Sequence, residues 1–103
     1  MAIKTEAARA LVYSVARYMD TEPHDVSKVA AMAKVFAGDV AMEVATNAVQ
    51  VLGGYGYMQD YPVEKMMRDA KILQIYEGTN EIQRNIIGQE LNKEYSRLKD
   101  TFF

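Results

Sequence analysis

A single carboxylate, Glu77, stands at a break in the stretch QIYEGTNEIQ, Gln74 to Gln83. It follows the apolar pair Ile75 and Tyr76 and precedes Gly78 and Thr79, with helix-type sequence on both sides. Two readings compete. An acid between two helices can be a solvated turn residue. Flanked by apolar neighbours, it can instead be a general base, because desolvation penalises the charged form and lifts the pKa toward neutrality. The next residues add a second kind of chemistry. The amides of Thr79, Asn80 and Glu81 would point outward from the start of a new helix, an end that carries partial positive charge. Such an end can hold a phosphate or a developing oxyanion.

A second constellation is QVLGGYGYM, Gln50 to Met58. Its three glycines would let backbone approach a ligand closely. The same pattern also suits a helix end followed by a loop. It is not a dinucleotide-binding fingerprint, because it follows a helix and its glycine spacing differs. Tyr55, Tyr57 and Tyr61 cluster nearby and could pack this loop or meet another subunit. Arg68 and Asp69 read as a solvated or locally paired face, and His24, beside Pro23, as exposed. No cysteine means no thiolate metal site, one histidine cannot build an imidazole-rich one, and no metal is expected.

Four helices can position these residues. The first spans about Ala2 to Asp20, with Ile3, Ala7, Leu11, Val15 and Tyr18 on one stripe. It opens without a capping residue, which suggests that the chain starts inside a helix. TEPHD breaks it, and Asp25 can cap the next helix by accepting an amide hydrogen bond. That helix runs to Leu52, with Val26, Val29, Ala33, Phe36, Val40, Val44, Ala48 and Val51 on one face. Apolar residues elsewhere on it, Ala31 and Met42 among them, make it central. Asp39, Glu43, Asn47 and Gln50 form a narrow polar stripe. Gly38 costs about 1 kcal/mol against alanine but permits close helix approach, and Gly53 can end the helix in a positive-φ conformation. The third helix starts at Pro62 and ends near Ile75 or Tyr76, turning Val63, Met66, Met67, Ala70 and Leu73 inward. Thr79 or Asn80 caps the fourth, where Asn80 and Gln83 have capping-box spacing. Ile82, Ile86, Ile87, Leu91, Tyr95, Leu98 and Phe102 form its inward stripe. The expected class is all-α, an antiparallel four-helix up-and-down bundle forming a single domain over residues 1–103.

Composition excludes several functions. The net charge is −2, so nothing favours nucleic acid. No apolar run approaches a membrane span, and no helix joins a basic face to an apolar one. MAIKTEAARA lacks the apolar core of a signal peptide. A reducing compartment is expected, the bacterial cytoplasm or the mitochondrial matrix.

Both constellations occur in a definite order. Residues 50–91, QVLGGYGYMQDYPVEKMMRDAKILQIYEGTNEIQRNIIGQEL, resemble the C-terminal signature of the acyl-CoA dehydrogenases. KVAAMAKVFAGDVAMEVATNAVQ resembles the helix before it. The resemblance covers essentially the whole chain and implies an FAD-dependent α,β-dehydrogenation of an acyl-CoA thioester to the trans-2-enoyl-CoA. In members with IYEGT, the glutamate of that motif removes the α-proton while the β-carbon gives a hydride to the flavin; it corresponds to Glu77. The base residue's amide and a flavin ribityl hydroxyl hold the enolate-like oxygen. Gly78 corresponds to a substrate contact, and Thr79, Asn80 and Glu81 to an FAD-contacting turn. Gln50, Val51, Leu52, Gly53 and Gly54 correspond to a stretch that meets the adenosine-diphosphate part of FAD, usually from a neighbouring subunit. The resemblance further implies a homo-oligomer, an electron-transfer flavoprotein as electron acceptor, and N-terminal helical and middle β-domains that this chain lacks. The chain is thus expected to be a fragment of a three-domain flavoenzyme, inactive alone. The alternative is a catalytically inactive helical self-association module derived from that domain.

Overall fold

The computed structural model describes residues 1–102, and the side chains of residues 1–100. Five α-helices occur: α1 (Ala2–Met19), α2 (Val26–Leu52), the single turn α3 (Gly54–Tyr57), α4 (Val63–Lys71) and α5 (Asn80–Phe102). A 3-10 turn, Ile72–Gln74, extends α4. No strand occurs among the described residues, and the all-α class holds.

The long helix α2 is central, as its apolar surface on several faces predicts: α1, α4 and α5 all pack on it. All three run antiparallel to it. Lys4 pairs with Glu43 while Tyr18 donates to Asp25; Arg84 pairs with Asp39 while Lys28 pairs with Glu94. α4 and α5 follow one another along α2 in the same direction. The segment between them is therefore a bend over the middle of α2, not a hairpin.

Ala31, Ala33, Gly38 and Val40 of α2 are buried, with Val15 of α1 and Ala70 of α4. Small residues dominate because the helices approach closely. A Cβ added at Gly38 would stand 3.0 Å from the carbonyl oxygen of Leu73, the close approach that the glycine suggested. α2 ends at Gly53, with φ +61°. The segment read as a plain loop instead begins with α3. A Cβ at Gly56 would lie 2.5 Å from the Val49 carbonyl oxygen, so only glycine fits this turn against α2. The Tyr55 and Tyr61 rings pack on each other, with centroids 5.7 Å apart, and Tyr57 is exposed.

Several expected inward residues face out. Ile3, Ala7 and Tyr18 of α1, Phe36 and Val51 of α2, and Met66 of α4 are exposed. On α5 only Ile86 and Ile87 of the stripe are half-buried; Ile82, Leu91, Tyr95 and Leu98 are exposed. Phe102's side chain lies outside the described residues. The cause is geometric: α1 and α5 each rest chiefly on α2, so one flank of each has no cover within this chain. The molecule is correspondingly long, 59 × 24 × 22 Å. Its radius of gyration, 17.3 Å, exceeds the roughly 13 Å of a compact domain of this length.

Asp25 occupies the N-cap position of α2, but its side chain makes no capping bond. Its carboxylate accepts the Tyr18 hydroxyl instead, joining α1 to α2. That hydrogen bond is the main cause holding the Asp25 carboxyl below its ordinary value.

Candidate functional site

Two consecutive residues of the junction have left-handed backbone, Glu77 at φ +55° and Gly78 at φ +82°. For a residue with a Cβ this costs about 1–2 kcal/mol. Three contacts hold the turn. Gln83 Nε2 donates to the Glu77 carbonyl at 2.9 Å. Lys34 Nζ donates to the Gly78 carbonyl at 2.8 Å. Thr79 Oγ1 accepts the Ile82 amide at 3.2 Å and so caps α5. A hydrogen bond to a charged group contributes about 1.5–3 kcal/mol, so the Lys34 bond alone is of the size needed to offset the strain.

The capping box suggested by Asn80 and Gln83 does not form. Gln83 is spent on the Glu77 carbonyl, and the Asn80 side chain points inward, only 2% exposed. Its Oδ1 accepts from Lys34 Nζ at 2.6 Å. Its Nδ2 donates to Asp39 Oδ1 at 2.7 Å and to the Val35 carbonyl at 3.4 Å. Asp39 also accepts Gln74 Nε2 at 2.9 Å and Arg84 Nη2 at 2.6 Å, and Lys71 Nζ donates to Gln74 Oε1 at 2.9 Å. One polar network thus ties the bend and the start of α5 to the middle of α2. Asp39 and Glu43, two members of the narrow polar stripe, are ion-pair partners of α5 and α1 respectively.

Burial pushes the Asp39 carboxyl upward, but hydrogen bonds from Gln74 and Asn80 and the charge and hydrogen bond of Arg84 outweigh it, so its net shift is downward. A depressed folded pKa means that the unfolded state takes up the proton first as pH falls. The stabilisation is present above the unfolded value, about 3.9, and is lost as pH falls through the folded value. Asp25 contributes with the same sign. Thermal unfolding followed by far-UV ellipticity should therefore lose this contribution only below about pH 4. Asp39→Asn should flatten that acid limb; an unchanged limb would contradict the assignment.

Glu77 is exposed, and its neighbours Ile75 and Tyr76 are each 49% exposed. The apolar enclosure suggested by the sequence is thus not supplied by this chain alone. Glu77 does line a cleft of about 260 Å³, together with Lys34, Ala37, Gly38, Leu73 and Tyr76. Gly78 and Thr79 adjoin it. The amides of Thr79, Asn80 and Glu81 lie at the start of α5, and the Glu81 side chain is exposed. With its side chain committed, Asn80 has only its backbone to offer a ligand.

Gln50, Val51, Leu52, Gly53 and Gly54 lie elsewhere, all exposed, at the end of α2. From Gly38, beside Glu77, to Gln50 the helix rises roughly 18 Å. One chain therefore does not bring the two constellations into one site. Apart from the adjoining backbone, nothing lies within 4 Å of a Cβ placed on Gly53 or Gly54, so the backbone there is open to a ligand. Among the described residues no group of three or more His, Cys, Asp and Glu could hold a metal ion, and no helix is long and apolar enough to cross a membrane.

Sequence reasoning overlooked Lys34, Asp39 and Gln74 as parts of the site. The available signal was two charged residues, Lys34 and Asp39, interrupting the apolar run of a central helix.

Residues 1–92 match the family model described as acyl-CoA dehydrogenase, C-terminal domain. The chain is 56% identical over 93 residues to a cyclohexane-1-carbonyl-CoA dehydrogenase of Geobacter metallireducens, covering 90% of this chain and 24% of that protein. It is 57% identical over 91 residues to an acyl-CoA dehydrogenase of Bacillus subtilis, covering 88% and 24%. Its fold superposes on the solved butyryl-CoA dehydrogenase of Megasphaera elsdenii with TM-score 0.82 at 53% identity, over 88% of this chain and 24% of that one. The chain thus spans about a quarter of the length of these relatives.

Proposed function

The chain belongs to the acyl-CoA dehydrogenase family, as its C-terminal domain, and from that premise we propose that residues 1–103 form one helical domain of a three-domain FAD enzyme that oxidises an acyl-CoA thioester to the trans-2-enoyl-CoA. The observation that carries this reading is the left-handed turn placing Glu77 over a cleft at the start of α5. The Glu77 carboxylate takes the α-proton. The N-terminal helical and middle β-domains close over Ile75, Tyr76 and Glu77 and remove water, which favours proton transfer from a weak carbon acid. The Glu77 amide helps to hold the thioester oxygen as charge develops there, and Gly78 borders the substrate.

The residues present fit parts of FAD. The first turn of α5, at Thr79, Asn80 and Glu81, suits an anionic group, and the uncovered backbone at Gly53 and Gly54 leaves room for a diphosphate beside Gln50, Val51 and Leu52. When bound, FAD accepts the hydride from the β-carbon. Following the family resemblance, the two constellations, roughly 18 Å apart along α2, serve different FAD molecules, an arrangement that requires a homo-oligomer. An electron-transfer flavoprotein would reoxidise the enzyme.

A second reading, an inactive self-association module, is favoured by the exposed apolar stripe Ile82, Leu91, Tyr95 and Leu98. The same stripe serves the first reading as a domain or subunit contact. Anaerobic mixing of the FAD-loaded full-length protein with saturated acyl-CoAs, from butyryl to palmitoyl and including cyclohexane-1-carbonyl-CoA, separates the two. Bleaching of the oxidised flavin by at least one of them is expected; none with any would leave the second reading.

A further inference from the structure

We propose that Lys34 is a positioning residue for the Glu77 base, an inference that rests on the function proposed above. Lys34 sits on α2, far from Glu77 in sequence, and its ammonium reaches the turn from below. It donates to two neutral oxygens, the Gly78 carbonyl at 2.8 Å and Asn80 Oδ1 at 2.6 Å. Among the described residues it forms no ion pair. A lysine serving the electrostatic stability of α2 would be matched to an acid, as Lys4 and Lys28 are. This cation is spent instead on the backbone and the following asparagine of the segment where, alone among the described residues, two consecutive positions take positive φ.

The two bonds have distinct consequences. The bond to the Gly78 carbonyl fixes the Gly78–Thr79 peptide plane. With Gln83 holding the Glu77–Gly78 plane, it locks the left-handed pair from its far side and so limits the directions in which the Glu77 side chain can leave the backbone. The bond to Asn80 makes the start of α5 part of the same unit, because Asn80 is itself tied to Asp39 and to the Val35 carbonyl. Charge-assisted hydrogen bonds are short and directional, so they hold geometry better than packing of an exposed turn can. Lys34 also lines the cleft beside Glu77. Without its donors the left-handed pair would keep only the Gln83 contact and the Thr79 cap, and the carboxylate would sample orientations away from an α-proton.

Three variants of the FAD-loaded full-length enzyme test this: Lys34→Met, Lys34→Arg and Glu77→Gln. A misplacement of about 1 Å costs on the order of a hundredfold in rate, so Lys34→Met should slow flavin reduction about tenfold to a hundredfold. The KM for acyl-CoA should stay within roughly threefold, as for loss of an interaction that matters in the transition state. Lys34→Arg keeps a charged donor and should recover most of the rate. Hydrogen–deuterium exchange should quicken in peptides covering residues 75–83 of Lys34→Met and stay unchanged in those covering residues 1–20. Wild-type rates in Lys34→Met, an equal loss in Lys34→Arg, or faster exchange spread over the whole domain would each overturn the proposal. Glu77→Gln separates the two levels. If it reacts like the wild type, the assignment of the base has failed; if it is inert while Lys34→Met is unaffected, only the positioning role has failed.

Discussion

Glu77→Gln in the full-length enzyme is expected to slow reduction of bound FAD by acyl-CoA on the order of 10³- to 10⁴-fold, the upper range for loss of a general base. The amide has nearly the shape of the carboxylate but cannot accept the α-proton. The geometry of the turn should survive, because both tethers act on the backbone: Gln83 holds the carbonyl of residue 77 and Lys34 that of Gly78. The loss is therefore chemical and not structural. FAD content should match the wild type, since the first turn of α5 is untouched. Stopped-flow absorbance of the flavin gives the rate, and exchange of the substrate α-hydrogen with D₂O follows the proton step separately. A variant within about tenfold of wild type in both measurements would remove Glu77 from the mechanism, because general acid–base catalysis contributes more than that.

Asn80→Ala should have the largest effect on stability. Asn80 is the one buried polar side chain among those described, and it joins three segments of chain. Its loss leaves the Val35 carbonyl without its side-chain donor, Lys34 with one acceptor in place of two, and Asp39 short of one donor. Leaving buried groups unsatisfied costs about 1–3 kcal/mol, and more for charged ones. About 2–4 kcal/mol is expected in total, with each kcal/mol lowering the melting temperature of a domain this size by roughly 4–8 °C. Alanine's better helix propensity returns well under 1 kcal/mol. Asn85→Ala, on an exposed position of the same helix, is the control and should stay within about 0.5 kcal/mol. Thermal unfolding followed by far-UV ellipticity measures both. Equal melting temperatures for the two variants would mean that the network contributes nothing.

Asn80 also shows where reading the sequence reached its limit. Residues 80 and 83 have capping-box spacing, and local chemistry alone favours that box. The partners that override it, Lys34, Val35 and Asp39, lie 41 to 46 residues away along the chain. Spacing rules see only neighbours, so they could not anticipate an inward asparagine. Gly38, by contrast, was legible, because a glycine inside a long helix needs a reason and close approach is the usual one. The central place of α2 was legible from its apolar residues on several faces. The stripe on α5 was legible only in part. Periodicity marks Ile82, Leu91, Tyr95 and Leu98 as belonging to an apolar surface, but not which chain covers it. The break at Glu77 was found correctly, yet its left-handed backbone was not, because a glutamate carries no local signal for positive φ.

The stretch of α2 between Gly38 and Gln50 acts as a gauge. One end is set by the Leu73 carbonyl pressed against Gly38, the other by the α3 turn, whose Gly56 is folded onto the Val49 carbonyl. A residue inserted between them would advance the far end by about 1.5 Å and swing it by about 100°, carrying Gln50 to Gly54 away from whatever they address while the bend at Glu77 stayed in place. Substitutions along this stretch alter packing; insertions and deletions alter calibration. Its length should therefore be intolerant of change even where its side chains are not.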